Sequence, residues 1–306
     1  MTKQVILGQL SDVDIRRLRV FKTVTEAGGI SAAELELNIG RSTISTHIKD
    51  LEIRLGVTLC RRGRSGFSLT EEGHHVYKAT MRLLGSLDEF RAEVSDIHNR
   101  LTGQINIALF DKIASNPDAH LDRAFKQFDN QAPEVSLSIY VEYLNEIERG
   151  VIEGRLQVGV IPGHRTSPSL TYSKLFDEKV FLYCGKEHPL FDIDNQKITK
   201  KDILNCKYAG LGYHSPNMEI GRELGMSRSA TVYDQEAIVH LLLSGSYIGY
   251  LPDHYAKSLV EEGLIRAIGT EEFHYQCEFF AIHRSSPKPS RLVQTFLDCL
   301  NQAHQS

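Results

Sequence analysis

No stretch of eighteen or more apolar residues occurs among these 306 residues, so no segment is long enough to cross a bilayer as a helix. The start, MTKQVILGQLSDVD, holds too short an apolar run, and no small-residue cleavage site, for a secretory signal. A cytoplasmic protein without a membrane partner is expected. Cysteine is sparse: Cys60, Cys184, Cys206, Cys277 and Cys299 are odd in number, widely spread and without a CxxC pair. That pattern signals neither a disulfide framework nor a zinc site. Also missing are a GxxxxGK phosphate loop, an HExxH metal motif, a GxSxG elbow and a GxGxxG turn opening a helix. Gly210 and Gly212 give only half of the last and read as a turn. These absences point to a binding protein rather than an enzyme: no catalytic residue, metal or cofactor is expected.

What is present is ordinary globular material, 41% hydrophobic and 24% charged, enough for sizeable cores. The length suggests more than one domain, because single cores stop growing near about 250–300 residues. The net charge of −4 hides an asymmetry. Residues 1–70 carry 11 Lys and Arg against 7 Asp and Glu, whereas residues 71–306 carry 24 against 32. The basic end is where a polyanion would bind.

That end has a helix-turn-helix pattern. Ile15, Leu18, Val20, Phe21 and Val24 form a helical stripe, with Ser11 or Asp12 to cap it and Gly28-Gly29 to end it. Ser31 and Glu34 have capping-box spacing for a short second helix, broken by Asn38-Ile39-Gly40. A third helix is expected from about Arg41 to Leu55, burying Ile44, Ile48, Leu51 and Leu55. Its first turns carry Arg41, Ser42, Thr43, Ser45, Thr46 and Lys49. These are short donors and acceptors at a helix N-terminus, as a helix entering the major groove needs. The segment VTLCRRGRSGFSLT then reads as a hairpin wing carrying Arg61, Arg62 and Arg64, suited to backbone phosphates. Ser31 completes the expected DNA-contacting set.

The stretch FKTVTEAGGISAAELELNIGRSTISTHIKDLEIRLGVTLCRRGRSGFSLTEEG resembles the N-terminal winged helix-turn-helix of LysR-type transcriptional regulators. The likeness lies in its A-A-x-x-L turn-in, I-x-x-L-E-x-x-L-G helix end and closing L-T-x-x-G. It departs at Gly40, where the family usually has Ser, at Arg41 (Gln), at Ser42 (Pro) and at Cys60 (Phe), which is expected to fill the small wing core. DEKVFLYCGKEHPL and SGSYIGYLPDHYAKSLVEEGLI extend the resemblance over nearly the whole chain, though Gln157 replaces an Asp usual in its strand. The resemblance implies a sequence-specific regulator of the α/β class with three parts: a winged helix-turn-helix, a long linker helix, and a two-lobed α/β effector-binding domain resembling periplasmic binding proteins. It also implies a homodimer or homotetramer on double-stranded operator DNA.

Val76, Thr80, Leu83, Leu87, Phe90, Val94, Ile97 and Leu101 recur at alternating intervals of 4 and 3, a seam that wants a partner helix. A helix over 71–101 would be about 46 Å long, and is expected to pair two subunits. TGQ at 102–104 marks a hinge. Beyond it, strand and helix signals alternate: INIALF, a helix from Pro117 to Asp129, VSLSIYVEY, a helix at about 145–154, LQVGVI, KVFLYCG, YAGLG, SATVYD, Gln235–Ser244, YIGYLP, His254–Glu262, CEFFAIHR and Arg291–Ala303. The expected domains are 1–70, 71–101 and 102–306. Within the last, lobe I spans about 105–165 and 269–306, and lobe II about 166–268.

Open α/β sheets bind ligands beyond the carboxyl ends of their strands. This places Asp111, Lys112, Tyr143, His164, Tyr213, His214 and Asp234 at an interlobe cleft, with Arg165 beside His164. Asp234 also suits a helix cap. Lys112 and the histidines favour a small anionic effector. The alternative is a cysteine-based redox sensor, for which only Lys207 beside Cys206 offers a local cation.

Overall fold

The computed structural model describes residues 8–63, 66–96 and 101–305, and the chain divides into two compact units, Met1–Phe90 and Arg91–Ser306. The first unit opens with α1 (Asp12–Glu26), capped by Ser11 through a reciprocal capping box with Asp14. Next come α2 (Ile30–Leu37) and α3 (Arg41–Leu55). Asn38 adopts a left-handed conformation, φ 51°, and so ends α2. The expected Ser31–Glu34 capping box does not form: α2 is capped by Gly29 with no side-chain bond. Because the helix starts at Ile30, Ser31 already lies inside its first turn, and the Glu34 carboxylate is engaged by Arg41 instead.

Leu18, Phe21, Val24, Ala33, Ile44, Ile48 and Leu51 make the core of this unit, each large side chain contributing roughly 1.5–3 kcal/mol of burial. Arg17 of α1 pairs with Asp50 of α3 at 2.5 Å. The wing is an antiparallel hairpin, β1 (Cys60–Gly63) and β2 (Gly66–Leu69), with Cys60 buried as expected. Glu52 of α3 anchors it by accepting from the Leu59 and Cys60 amides at 2.7 and 3.3 Å.

The junction from wing to α4 (Glu71–Asp96) explains the L-T-x-x-G signature. Thr70 Oγ1 donates to Thr58 O at 2.6 Å and accepts from the Gly73 amide at 2.9 Å, capping the helix. A Cβ on Gly73 would lie 1.9 Å from Leu59 O, so only glycine fits there. The described α4 stops short of Leu101, and Ile97 lies outside the described residues. The first half of the expected seam is also used differently. Val76 and Leu83 pack on the core of their own unit, while Phe90 and Val94 are 62% and 42% exposed.

The second unit is mixed α/β. Its strands and helices are β3 (Thr102–Leu109), α5 (Leu121–Gln131), β4 (Glu134–Val141), α6 (Leu144–Ile152), β5 (Val158–Pro162), β6 (Leu170–Gly185), α7 (Lys200–Leu204), β7 (Tyr208–Leu211), α8 (Pro216–Glu223), β8 (Arg228–Val232), α9 (Gln235–Leu243), β9 (Ile248–Pro252), α10 (Asp253–Glu261), β10 (Ile265–Ala267), β11 (His274–Arg284) and α11 (Arg291–His304). The sheet order is β4-β3-β5-β11-β6-β9-β7-β8, with β10 on β6. β3 pairs in parallel with β4 and β5, and β7 with β8 and β9, giving a parallel set in each lobe. The long antiparallel strands β6 and β11 run between these sets as crossovers.

Two sequence expectations are corrected here. TGQ is not a hinge loop, because residues 102–104 already pair with 134–136 and Gly103 takes φ 112°. The helix expected from Pro117 begins at Leu121: Asn116 Oδ1 accepts from the Asp118 amide in a turn, and His120 is left-handed at φ 40°.

Candidate DNA interface and effector cleft

Within the first unit, Arg41, Ser42, Thr43, Thr46 and Lys49 are exposed on α3, and Ser45 is half-buried. Ser31 is exposed on α2 and Arg61 on β1. Arg62 belongs to β1, and Arg64 lies outside the described residues. The α3 end of the basic patch is the best defined. Gly40 offers α3 no side-chain cap. Glu34, reaching over from α2, supplies the missing acceptor: its Oε1 takes the Arg41 amide at 3.0 Å and its Oε2 the Arg41 Nε–H. This Arg41 pairing holds the Glu34 carboxyl below the usual carboxylate range. One guanidinium N–H is thus bound and its plane oriented, which is how a carboxylate preorganises an arginine for recognition.

In the second unit, the carboxyl ends of the parallel strands from both lobes face one another. Asp111 and Lys112 follow β3, Tyr143 follows β4, His164 follows β5, Tyr213 and His214 follow β7, and Asp234 follows β8. The structure brings six of these seven together across the lobes. Asp111 Oδ2 accepts from the Gln235 amide at 3.4 Å. Lys112 Nζ lies 3.2 Å from Glu236 and 3.6 Å from Asp111, and sits over the Tyr255 ring. Tyr143 packs tilted against Tyr213, ring centroids 5.7 Å apart, with Tyr233 at 6.4 Å. The His164 and His214 rings are 5.2 Å apart. Asp234 stands aside as the α9 cap, accepting from the Ala237 amide at 2.8 Å.

The charges at this cleft differ from those the residue types suggested. Burial alone would pull the Lys112 ammonium down, but Asp111 and Glu236 more than offset it and its pKa is raised. The His164 side chain is fully covered. Burial, then Arg165 and His214, push its pKa down to about 4, so it is a neutral ring at pH 7. Among the described residues neither of its nitrogens has a hydrogen-bond partner, and Glu148 Oε2 is 3.7 Å away. Arg165 is taken by the same Glu148 at 3.1 Å.

Behind these contacts lies a cavity of about 20 Å³, whose walls include Glu178, Ser215, Asn217, Gln235 and Cys277. None of these was among the site residues expected from the sequence. Gln235 Oε1 is buried there with no partner among the described residues. Glu178 joins a chain across the lobes: its Oε2 is 2.8 Å from His254 Nε2, and His254 Nδ1 is 2.8 Å from Ser115 Oγ. Burial raises the Glu178 pKa against the opposing pull of His254. A charged residue in the apolar strand DEKVFLYCG, and Ser-Pro opening a helix after a strand, were the available signals. Burial also pushes the thiols up, Cys184 to about 12 and Cys206 and Cys277 upward, away from the reactive thiolate.

Comparison with known proteins accords with this anatomy. Residues 15–74 match the family described as bacterial regulatory helix-turn-helix protein, lysR family, and residues 98–305 match the LysR substrate binding domain. The chain is 41% identical over 294 residues, 96% of each chain, to the HTH-type transcriptional activator BauR of Pseudomonas aeruginosa. It is 32% identical over 178 residues, 58% of this chain and 60% of the relative, to the probable HTH-type transcriptional regulator LrrA of Synechococcus elongatus. Among solved structures it resembles full-length CbnR complexed with target DNA, with TM-score 0.64 and 18% identity over 95% of this chain and 100% of the other. A full-length OxyR variant from Pseudomonas aeruginosa gives 0.61 and 18% over 97% and 98%. At that identity the likeness is one of fold.

Proposed function

This chain belongs to the LysR family of bacterial regulatory helix-turn-helix proteins and is a transcriptional regulator with an effector-binding domain; from that premise we propose how its two units divide the work. The first turns of α3, with Arg41, Ser42, Thr43, Ser45, Thr46 and Lys49, read base edges in the major groove, while Ser31 and the wing arginines Arg61, Arg62 and Arg64 hold backbone phosphates. Two chains pair through residues 71–101, their open seam around Leu87, Phe90 and Val94, and further pairing of effector domains builds a tetramer. A small anionic effector binds between the lobes. The observation that carries this reading is the set of lobe-to-lobe contacts made by Asp111, Lys112, Tyr143 and His164. A ligand that enters there must replace them, and so changes how the lobes close.

Lys112 is the group that receives the anion. Its partner Glu236 has a side chain 65% exposed, so a ligand carboxylate can take over that position. His164 contributes a neutral ring rather than a charge, and His214, 3.2 Å from Glu219, faces it from the other lobe. The likeness to an activator suggests activation as the outcome.

The test is a footprint on operator DNA with and without candidate small acids, for the wild type, Lys112→Ala and His214→Ala. Both variants are expected to keep ligand-free DNA affinity and lose the ligand response. Variants that still shift their footprint normally place the effector elsewhere. If instead no protein, wild type included, binds a specific site, the DNA-reading half of the proposal fails.

A further inference from the structure

Lobe II holds a second cavity, separate from the interlobe space and much larger, about 170 Å³. It lies between β7, β8 and α8, and its apolar walls are Tyr208, Leu211, Met218 and Met226. Two glycines keep it open. A Cβ on Gly221 would meet the Tyr208 ring at 3.3 Å, and a Cβ on Gly210 would meet Tyr208 and the Arg228 stem at 2.9 Å. Any larger residue at either position would press into this space. Arg222 and Arg228 complete the lining, both exposed toward solvent. Arg228 spends one N–H on Leu211 O at 2.6 Å. Arg222 forms no ion pair among the described residues.

From this we propose that lobe II carries a second ligand site, specific for a small monocyclic carboxylate. Size sets the first part of that class, since an apolar protein cavity of about 150 Å³ accommodates a benzene ring. The walls set the second. Two thioethers and a tyrosine edge give a polarisable, adaptable lining for a flat ring, and two guanidiniums match a carboxylate better than any neutral group.

The site is placed to act on the interlobe cleft. Helix α8 is a wall of both cavities: Ser215 and Asn217 at its start face the interlobe space, while Met218 and Arg222 face this one. Tyr208, a wall of the second cavity, donates to Asn217 Oδ1 at 2.8 Å. A ring seated against Tyr208 therefore bears on the residue that lines the first site, so the two ligands share one structural element.

The probe is benzoate, titrated into the full-length protein and followed by calorimetry and ligand-observed NMR. Wild type is expected to bind at about millimolar affinity, as suits a ligand of about nine heavy atoms in a half-open site. Arg222→Ala, at an exposed position that leaves the fold intact, is expected to weaken benzoate about five- to tenfold. Benzyl alcohol should bind wild type with that weaker affinity and ignore the substitution. Gly221→Leu should abolish both by filling the cavity, and Tyr143→Ala, in the interlobe cleft, should leave benzoate affinity unchanged. The proposal is overturned if wild type shows no benzoate binding at about 10 mM, if Arg222→Ala binds it as wild type does, or if Tyr143→Ala removes it, which would put the ring in the interlobe cleft.

Discussion

Thr70 joins the wing to the linker helix with a single hydroxyl, and replacing it by valine isolates what that hydroxyl does. The shape is kept, but the hydrogen bond to Thr58 O at 2.6 Å and the cap on the Gly73 amide at 2.9 Å are both lost. Losing a helix cap costs about 1 kcal/mol. The Thr58 carbonyl, on an exposed residue, loses this donor as well, adding roughly the 0.5–1.5 kcal/mol net worth of one hydrogen bond. Valine cannot offset this, since Thr70 is only 7% exposed and water has little access. The sum is about 1.5–2.5 kcal/mol for a unit of some ninety residues, which lowers its melting temperature by roughly 6–20 °C. Calorimetry on the full chain would follow this unit's transition beside that of the effector unit, which should not move. Thr70→Ser restores the hydroxyl and should recover most of the loss, short of about 0.8 kcal/mol for the missing methyl. A valine variant within about 0.5 kcal/mol of wild type, or a serine variant as damaged as the valine one, would refute the reasoning.

Three further outcomes are expected. Arg62→Ala should weaken binding to all duplexes alike and shallow the salt dependence by about one unit of slope, whereas Arg41→Ala or Thr43→Ala should change which base is preferred, as read by competition binding. Phe90→Asp, on the exposed stretch of α4, should abolish pairing of chains in sedimentation, because an unpaired carboxylate in a helix seam costs several kcal/mol in order of magnitude; unchanged assembly would remove residues 71–101 from that role. For His164, burial depresses the folded pKa from 6.5 to about 4. A depressed pKa contributes stability that is full above pH 6.5 and is lost as pH falls toward 4, so His164→Gln should flatten denaturation midpoints across that window.

Much of the first unit was legible because short-range rules govern it. The stripe Leu18, Phe21, Val24 and the run Ile44, Ile48, Leu51 mark the faces that become its core, and Gly63–Gly66 marks the wing turn. The Ser31–Glu34 reading failed because a capping box and an interhelical contact use the same carboxylate. Spacing alone does not show that Gly40 leaves α3 in need of an acceptor from its neighbour. The spacing along α4 gives a helical period but not the partner each position takes: Val76 and Leu83 pack on the chain's own core. In the effector unit, strand ends could be located from runs such as INIALF and YIGYLP, and residues just beyond them did converge. Glu178, Gln235 and Cys277 were invisible because the crossover strands and α9 bring them together from positions about 40 to 100 apart. The helices α7 and α8 are too short for a period to stand out.

The interlobe contacts fall into two kinds, and the difference bears on how a ligand could act. Those at the rim are exposed: Glu236, opposite Lys112, is 65% exposed, and Tyr143 is 47% exposed over Tyr213. Ion pairs in that setting contribute about 0–1 kcal/mol, and ring pairs about 0.5–1.5 kcal/mol. The deeper link is of another kind. His254 and Glu178 are each 5% exposed by side chain, with Ser115 of lobe I on the far ring nitrogen. Separating the lobes breaks only the exposed Ser115–His254 hydrogen bond; the Glu178–His254 pair lies within lobe II, and taking it apart would strand a buried carboxylate whose pKa is already raised by desolvation, a cost of several kcal/mol. A ligand of modest affinity can exchange the rim contacts one for one but cannot displace the inner pair. Motion therefore has to pivot on β6 and β11, which carry Glu178 and Cys277, while the rim opens or re-seats. The free energy available at the rim, about 1–3 kcal/mol in all, is the size of coupling that allosteric effectors exert, roughly 5- to 150-fold in affinity. A rim of weak polar contacts around a buried polar pivot gives the two lobes a hinge whose balance a small anion at Lys112 is able to tip.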